Sequence, residues 1–148
     1  MRLIPVIAMI VFACYLVSCS KDKFQTTPQI EVKDYNTKHV PRNGQLVIRL
    51  NYFDKEGDLG QGTMYVFRKR LNKIPPTPAL DRGDELTYTI PEFNDRDKGE
   101  LRLTLNEVDF LSESVTQNDT MVFRIAVTDR GGHTSDTLTT DQIVVLLP

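Results

Sequence analysis

The chain has 148 residues, with 18 Lys+Arg against 20 Asp+Glu and a formal net charge of −2 at pH 7. That length suits a single folded domain, and scattered basic residues in a near-balanced chain argue against a surface built for nucleic-acid phosphates. Its two cysteines, Cys14 and Cys19, both lie near the start, so the remainder has no disulfide or thiolate metal centre and must hold together by its core.

In chain order, Arg2 is the only charge in residues 1–18, and an apolar stretch runs from Leu3 to Val17. A positive start, a short apolar core and a small residue before a cut describe a secretory leader. The run is shorter than the roughly 20 residues that span a bilayer; a spanning anchor or a buried strand is the alternative. It closes on Leu16-Val17-Ser18-Cys19, followed at once by the polar Ser20-Lys21-Asp22-Lys23. This resembles the lipobox of bacterial lipoproteins, a large aliphatic residue and two smaller ones before an invariant Cys. The resemblance implies that residues 1–18 are a cleaved signal peptide and that Cys19 carries diacylglycerol, so the first partner is a membrane reached through the lipid anchor. Lys21 and Asp22 resemble the short charged signals that send some Bacteroidota lipoproteins outward. The implied address is the cell envelope, at the outer membrane, on its periplasmic face or the cell surface. Residues 19–29 then form a polar tether, and ten residues of flexible coil reach roughly 18 Å.

From Ile30 the chain alternates as half-buried strands do, every second side chain facing a core. Ile30 and Val32 make a first strand. Leu46, Ile48, Leu50 and Tyr52 share one face of a second, with Arg49 and Asn51 opposite. Residues 64–70 are apolar on both faces (Met64 and Val66, Tyr65 and Phe67), as in a central strand. Leu86, Tyr88 and Ile90 alternate with threonines up to Pro91, which ends that strand. Leu101, Leu103 and Leu105 mark a fifth strand, Met121, Phe123, Ile125 and Val127 a sixth, and Ile143, Val145 and Leu147 a seventh. Turn residues separate them: Pro41 to Gly44, glycines 57, 60 and 62, prolines 75, 76 and 78, Lys98-Gly99 and Gly131-Gly132. Between residues 106 and 118, Val108, Leu111 and Val115 have the spacing of a helical turn. Seven short alternating strands without intervening helices predict an all-β fold, a seven-stranded antiparallel sandwich over residues 30–148. It is similar to immunoglobulin-like and fibronectin type III modules, without the Trp and paired cysteines of antibody domains.

Two acidic loops follow the second and sixth strands: Asp54-Lys55-Glu56-Gly57-Asp58-Leu59-Gly60 and Asp129-Arg130-Gly131-Gly132. They resemble the acidic loops of bacterial Ig-like and cadherin-like modules. In a seven-strand sandwich both loops lie at one end, which would bring Asp54, Glu56, Asp58 and Asp129 together. Calcium takes six to eight hard oxygen ligands, so these carboxylates suit a structural calcium ion. Ordinary solvated turns use the same residues and remain the alternative. An EF-hand is ruled out because its twelfth position, counted from Asp54, is Tyr65 rather than Glu. No cofactor is otherwise called for.

The long loop 72–83 is Pro-rich and carries apolar residues with no evident core to join. Ile74, Pro75, Pro76, Pro78 and Leu80 are its candidate recognition residues, since long loops on rigid scaffolds often carry contacts; a stiff crossover is the alternative. No Gly-x-Ser-x-Gly, His-Glu-x-x-His or phosphate-cradling loop occurs, and the chain is not expected to be an enzyme. His39 and His133 fall at opposite ends of the predicted sandwich. Asp119-Thr120-Met121 and Asp136-Thr137-Leu138 resemble Bacteroidota O-glycosylation triplets. The function these features imply is a non-catalytic binding or adhesion module with a protein or glycan partner. The alternatives are a structural accessory subunit of an envelope complex and, more distantly, a carbohydrate-active enzyme.

Overall fold

The computed structural model describes residues 26–147. The predicted leader, Cys19 and the start of the tether lie outside the described residues. Among the described residues nine strands form: β1 (Gln29–Tyr35), β2 (His39–Val40), β3 (Gln45–Phe53), β4 (Thr63–Arg70), β5 (Glu85–Thr89), β6 (Lys98–Asn106), β7 (Asp119–Thr128), β8 (Leu138–Thr139) and β9 (Ile143–Val145). They make an all-β fold of two sheets. One has the order β1-β3-β6 and the other β2-β9-β7-β4-β5, with β8 paired to β7. The predicted alternation decides which side chains go inward. Leu46, Ile48, Leu50 and Tyr52 of β3 and Leu101, Leu103 and Leu105 of β6 meet Met64 and Val66 of β4 and Met121, Phe123, Ile125 and Val127 of β7 in one buried core.

The structure corrects the sequence reading at several points. Seven predicted strands match β1, β3–β7 and β9, but β2 and β8 are additional two-residue strands, too short to show a period. The pairing is not wholly antiparallel, because β2 runs parallel to β9. Pro28 is already buried and Gln29 opens β1, so the end of the predicted tether belongs to the fold. Tyr88, expected to face inward, is 37% exposed, since β5 is an edge strand paired only with β4. The predicted helical turn reduces to a single π-helical turn, Glu107–Leu111. Of the three residues whose spacing predicted a helix, Leu111 is buried while Val108 and Val115 are exposed. Beyond Ser112 the backbone bonds elsewhere: the Glu113 N–H donates to Asp119 Oδ2 at 2.7 Å and the Thr77 N–H to the Glu113 carbonyl at 2.8 Å.

Connections gather at two ends. At one end Asp54 N–H donates to the Asp97 carbonyl (2.8 Å), Arg96 N–H to Gly57 (3.2 Å) and Arg130 N–H to Asp58 (3.3 Å), which joins the β3–β4, β5–β6 and β7–β8 loops. Gln29 pairs with Phe53, so the chain enters the fold at this same end. At the other end the Asn43 N–H donates to Glu107 Oε2 (2.9 Å) and the Leu71 N–H to the Thr120 carbonyl (2.7 Å).

Candidate functional site

Asp54 directly follows β3, and its carbonyl accepts the Gly57 N–H at 3.1 Å, closing a turn that needs Gly57 at φ +73°. The turn drives the Asp54 side chain inward until only 1% of the residue is exposed. Asp129 directly follows β7 and is also buried. Ligand-capable oxygens of Asp54, Asp58 and Asp129 lie within 4.8 Å of one another. The predicted convergence of these three residues therefore holds, whereas Glu56 does not join them. Glu56 groups instead with Asp129 and His133, again within 4.8 Å. His133, missed by sequence reasoning, donates its backbone N–H to Asp129 Oδ1 (2.8 Å) and sets Nδ1 3.2 Å from Oδ2. Its four-residue spacing from Asp129 across Gly131-Gly132 was the available signal.

Both Asp54 oxygens and Asp58 Oδ1 have no hydrogen-bond partner among the described residues. Burial pushes the Asp54 carboxyl above its ordinary range, and the Asp58 and Asp129 charges push it further. The backbone amides of Glu56 and Leu59 offset part of this without reaching hydrogen-bond geometry. A carboxylate in that position costs stability when ionised.

At the opposite end the Pro-rich loop lies over a buried ionic cluster. Arg68 is 0% exposed. Its guanidinium stacks on the Phe110 ring at 4.4 Å and donates to the Phe110 and Gly83 carbonyls and to Glu113 Oε1. Arg70 donates Nε and Nη2 to Asp119 Oδ1 at 2.8 and 2.7 Å, and Nη1 to the Ile74 carbonyl. Asn72 accepts from the Thr120 N–H (2.7 Å) and donates to the Asn118 carbonyl (2.8 Å). The loop is thus anchored at Leu71, Asn72, Ile74, Thr77 and Gly83. Ile74, Pro75 and Pro78 point outward while Pro76 and Leu80 are half-buried. Ile74 at 57% exposure and Val115 at 68% stand out, with Leu71 and Val108 also exposed. Sequence reasoning missed Arg68, although its parity with Met64 and Val66 placed it on the inward face.

His39 pairs with Val144 in β9, at the end of β7 marked by Thr120, whereas His133 follows the other end of β7. The two histidines are at opposite ends, as expected. Of the two Asp-Thr triplets, the first is absorbed into β7, with Asp119 buried in the ionic cluster, while Thr137 is exposed.

No protein-family model matches the chain and no curated protein does. Among solved structures the chain is similar to the β-glucosidase from Kluyveromyces marxianus in complex with glucose, at 12% identity and a TM-score of 0.37, over 81% of this chain and 14% of that one. It is also similar to a selenomethionine-labelled form of the β-glucosidase from the same organism, at 13% identity and a TM-score of 0.36, over 82% of this chain and 16% of that one. The chain therefore spans less than a fifth of the length of those proteins.

Proposed function

We propose that this chain is a lipid-anchored envelope protein, acylated at Cys19, whose Ig-like sandwich is a non-catalytic binding module for a protein partner. The strand order β1-β3-β6 opposite β9-β7-β4-β5 supports the Ig-like reading, with β5 added beside β4 and with β2 and β8 as short edge additions. The single observation that carries the binding role is the pinned Pro-rich loop. Ordering a loop in advance removes an entropic cost that binding would otherwise incur. The large apolar side chains exposed on that end, Leu71, Ile74, Val108 and Val115, are aliphatic rather than aromatic, which suits a protein surface better than a sugar ring. The chain enters β1 beside Phe53. A lipid on Cys19 would therefore put the acidic end towards the membrane and the Pro-rich loop away from it.

The anchor and the contact surface are tested together in a bacterial expression host and in native envelopes. Cys19→Ala is expected to lose lipid labelling and to leave the membrane fraction; unchanged membrane association defeats the anchor. A photo-crosslinking residue at Ile74 is expected to give discrete protein adducts in intact envelopes, and one at Glu56 none. Adducts at Glu56 alone would reverse the assignment of the contact surface.

A further inference from the structure

We propose that the tether end of the fold is a calcium site, with Asp54, Asp58 and Asp129 as its anionic ligands and the ion as a clamp between the two sheets. Acidic residues gather at many surface turns, and the cluster alone would not carry this. What carries it is Asp54, 1% exposed, with neither oxygen hydrogen-bonded among the described residues and one carboxylate oxygen within 4.8 Å of an oxygen from each of Asp58 and Asp129. Asp58 contributes a further buried oxygen without a hydrogen-bond partner among the described residues. A carboxylate so placed wants a cation, since burying a charge without a counter-charge is strongly unfavourable.

The donor set names the ion. All three residues offer hard carboxylate oxygens, which calcium takes in a flexible shell of six to eight. Magnesium demands a near-ideal octahedron and keeps several of its waters, which a carboxylate as enclosed as Asp54 does not suit. Zinc favours nitrogen or sulfur, and the residues to attract it are the neighbouring set of Glu56, Asp129 and His133. Asp129 belongs to both sets, so the two modes compete and can be told apart by substitution.

The position of the site says what the ion does. Asp54 closes β3 of the three-stranded sheet and Asp129 closes β7 of the other. One ion held by both ties the sheets together where the chain enters from its tether.

The test uses the full-length chain in detergent, stripped with EDTA and titrated with calcium, magnesium or zinc while its melting temperature is followed. Millimolar calcium should raise the melting temperature by roughly 5 °C or more, and magnesium by much less. Asp54→Asn and Asp58→Asn should each remove most of that rise, and His133→Ala should keep it. A flat calcium response overturns the proposal. So does a calcium response that both Asn variants retain, since the ion then sits elsewhere. A zinc response larger than calcium's and lost in His133→Ala overturns it in favour of the outer set. If Asp54→Asn does not fold, calorimetric titration decides: calcium heat in the unsubstituted chain that is absent in Asp58→Asn supports the site, and no heat in the unsubstituted chain overturns it.

Discussion

Arg68→Ala is expected to destabilise the fold by about 3–5 kcal/mol, the usual result of removing one partner from a buried ion pair. The penalty comes less from the lost attraction than from what stays behind. Glu113 is 2% exposed and, among the described residues, would keep only the long 3.5 Å approach of Arg70 Nε as an ion pair. The Phe110 and Gly83 carbonyls would lose their donor, and the Phe110 ring its stacked guanidinium. The double variant Arg68→Met/Glu113→Leu should recover much of the loss, because apolar residues of similar size often replace a buried pair without penalty. Urea denaturation of the full-length chain measures both. A loss below about 1 kcal/mol in Arg68→Ala would mean that the cluster does not hold this end together.

The same variant has a signed pH dependence. Burial already pushes the Glu113 carboxyl up, and Arg68 then Arg70 pull it back down. A carboxyl whose folded value lies above its unfolded one contributes stability below the unfolded value, and that contribution is lost as pH rises through the folded value. Removing Arg68 raises the folded value further. The deficit of Arg68→Ala should therefore be smallest near the ordinary Glu range, about pH 4, and grow towards pH 8. A deficit that shrinks with rising pH would contradict a buried, stranded Glu113.

Gly62→Ala is the second large effect, expected to cost roughly 2–3 kcal/mol by overpacking. A Cβ on Gly62 would lie 2.2 Å from the Thr128 carbonyl oxygen and 2.8 Å from that of Leu59, with the Asp129 Cα at 3.2 Å. All three are backbone atoms, so no side chain can swing aside. Nor can the glycine retreat, because its N–H donates to Leu59 (3.0 Å) and its carbonyl accepts from Ile90 (2.8 Å). The β3–β4 loop must move off the end of β7, which separates Asp54 and Asp58 from Asp129. Gly83→Ala is the control: its Cβ meets nothing within 4 Å although φ is +73°, so its cost is backbone strain of about 1 kcal/mol. Equal losses in the two variants would refute the close approach at Gly62.

How much was legible in the sequence differs between the scaffold and the site. The long strands β3, β6 and β7 were readable because a period of two over nine or ten residues is a local property of a half-buried strand. The loops at Asp54–Gly62 and Asp129–His133 were readable as turns, and the strand count alone placed them at one end. Hidden were the features that depend on what surrounds a residue. Arg68 has the inward parity of its strand but looks like a polar strand end, and the partners that let a charge stay inside, Phe110, Glu113 and Gly83, come from elsewhere in the chain. Val108 and Val115 carry helical spacing, yet the helix stops after one turn at Leu111 and the Glu113 carbonyl bonds to Thr77 instead, which leaves both valines outside.

By itself the sequence determined an all-β chain, the inward faces of its main strands, and a pattern at Cys19 that resembles a lipid attachment site. Tertiary structure alone decided that β2 runs parallel to β9, that Glu56 sides with His133 rather than Asp54, and that Asp54 is buried without a hydrogen-bond partner among the described residues. The reason is range. Alternation and turn chemistry act between residues a few positions apart, whereas the burial of Asp54 is set by the turn at Gly57, the close approach at Gly62 and a β7 end more than seventy residues away.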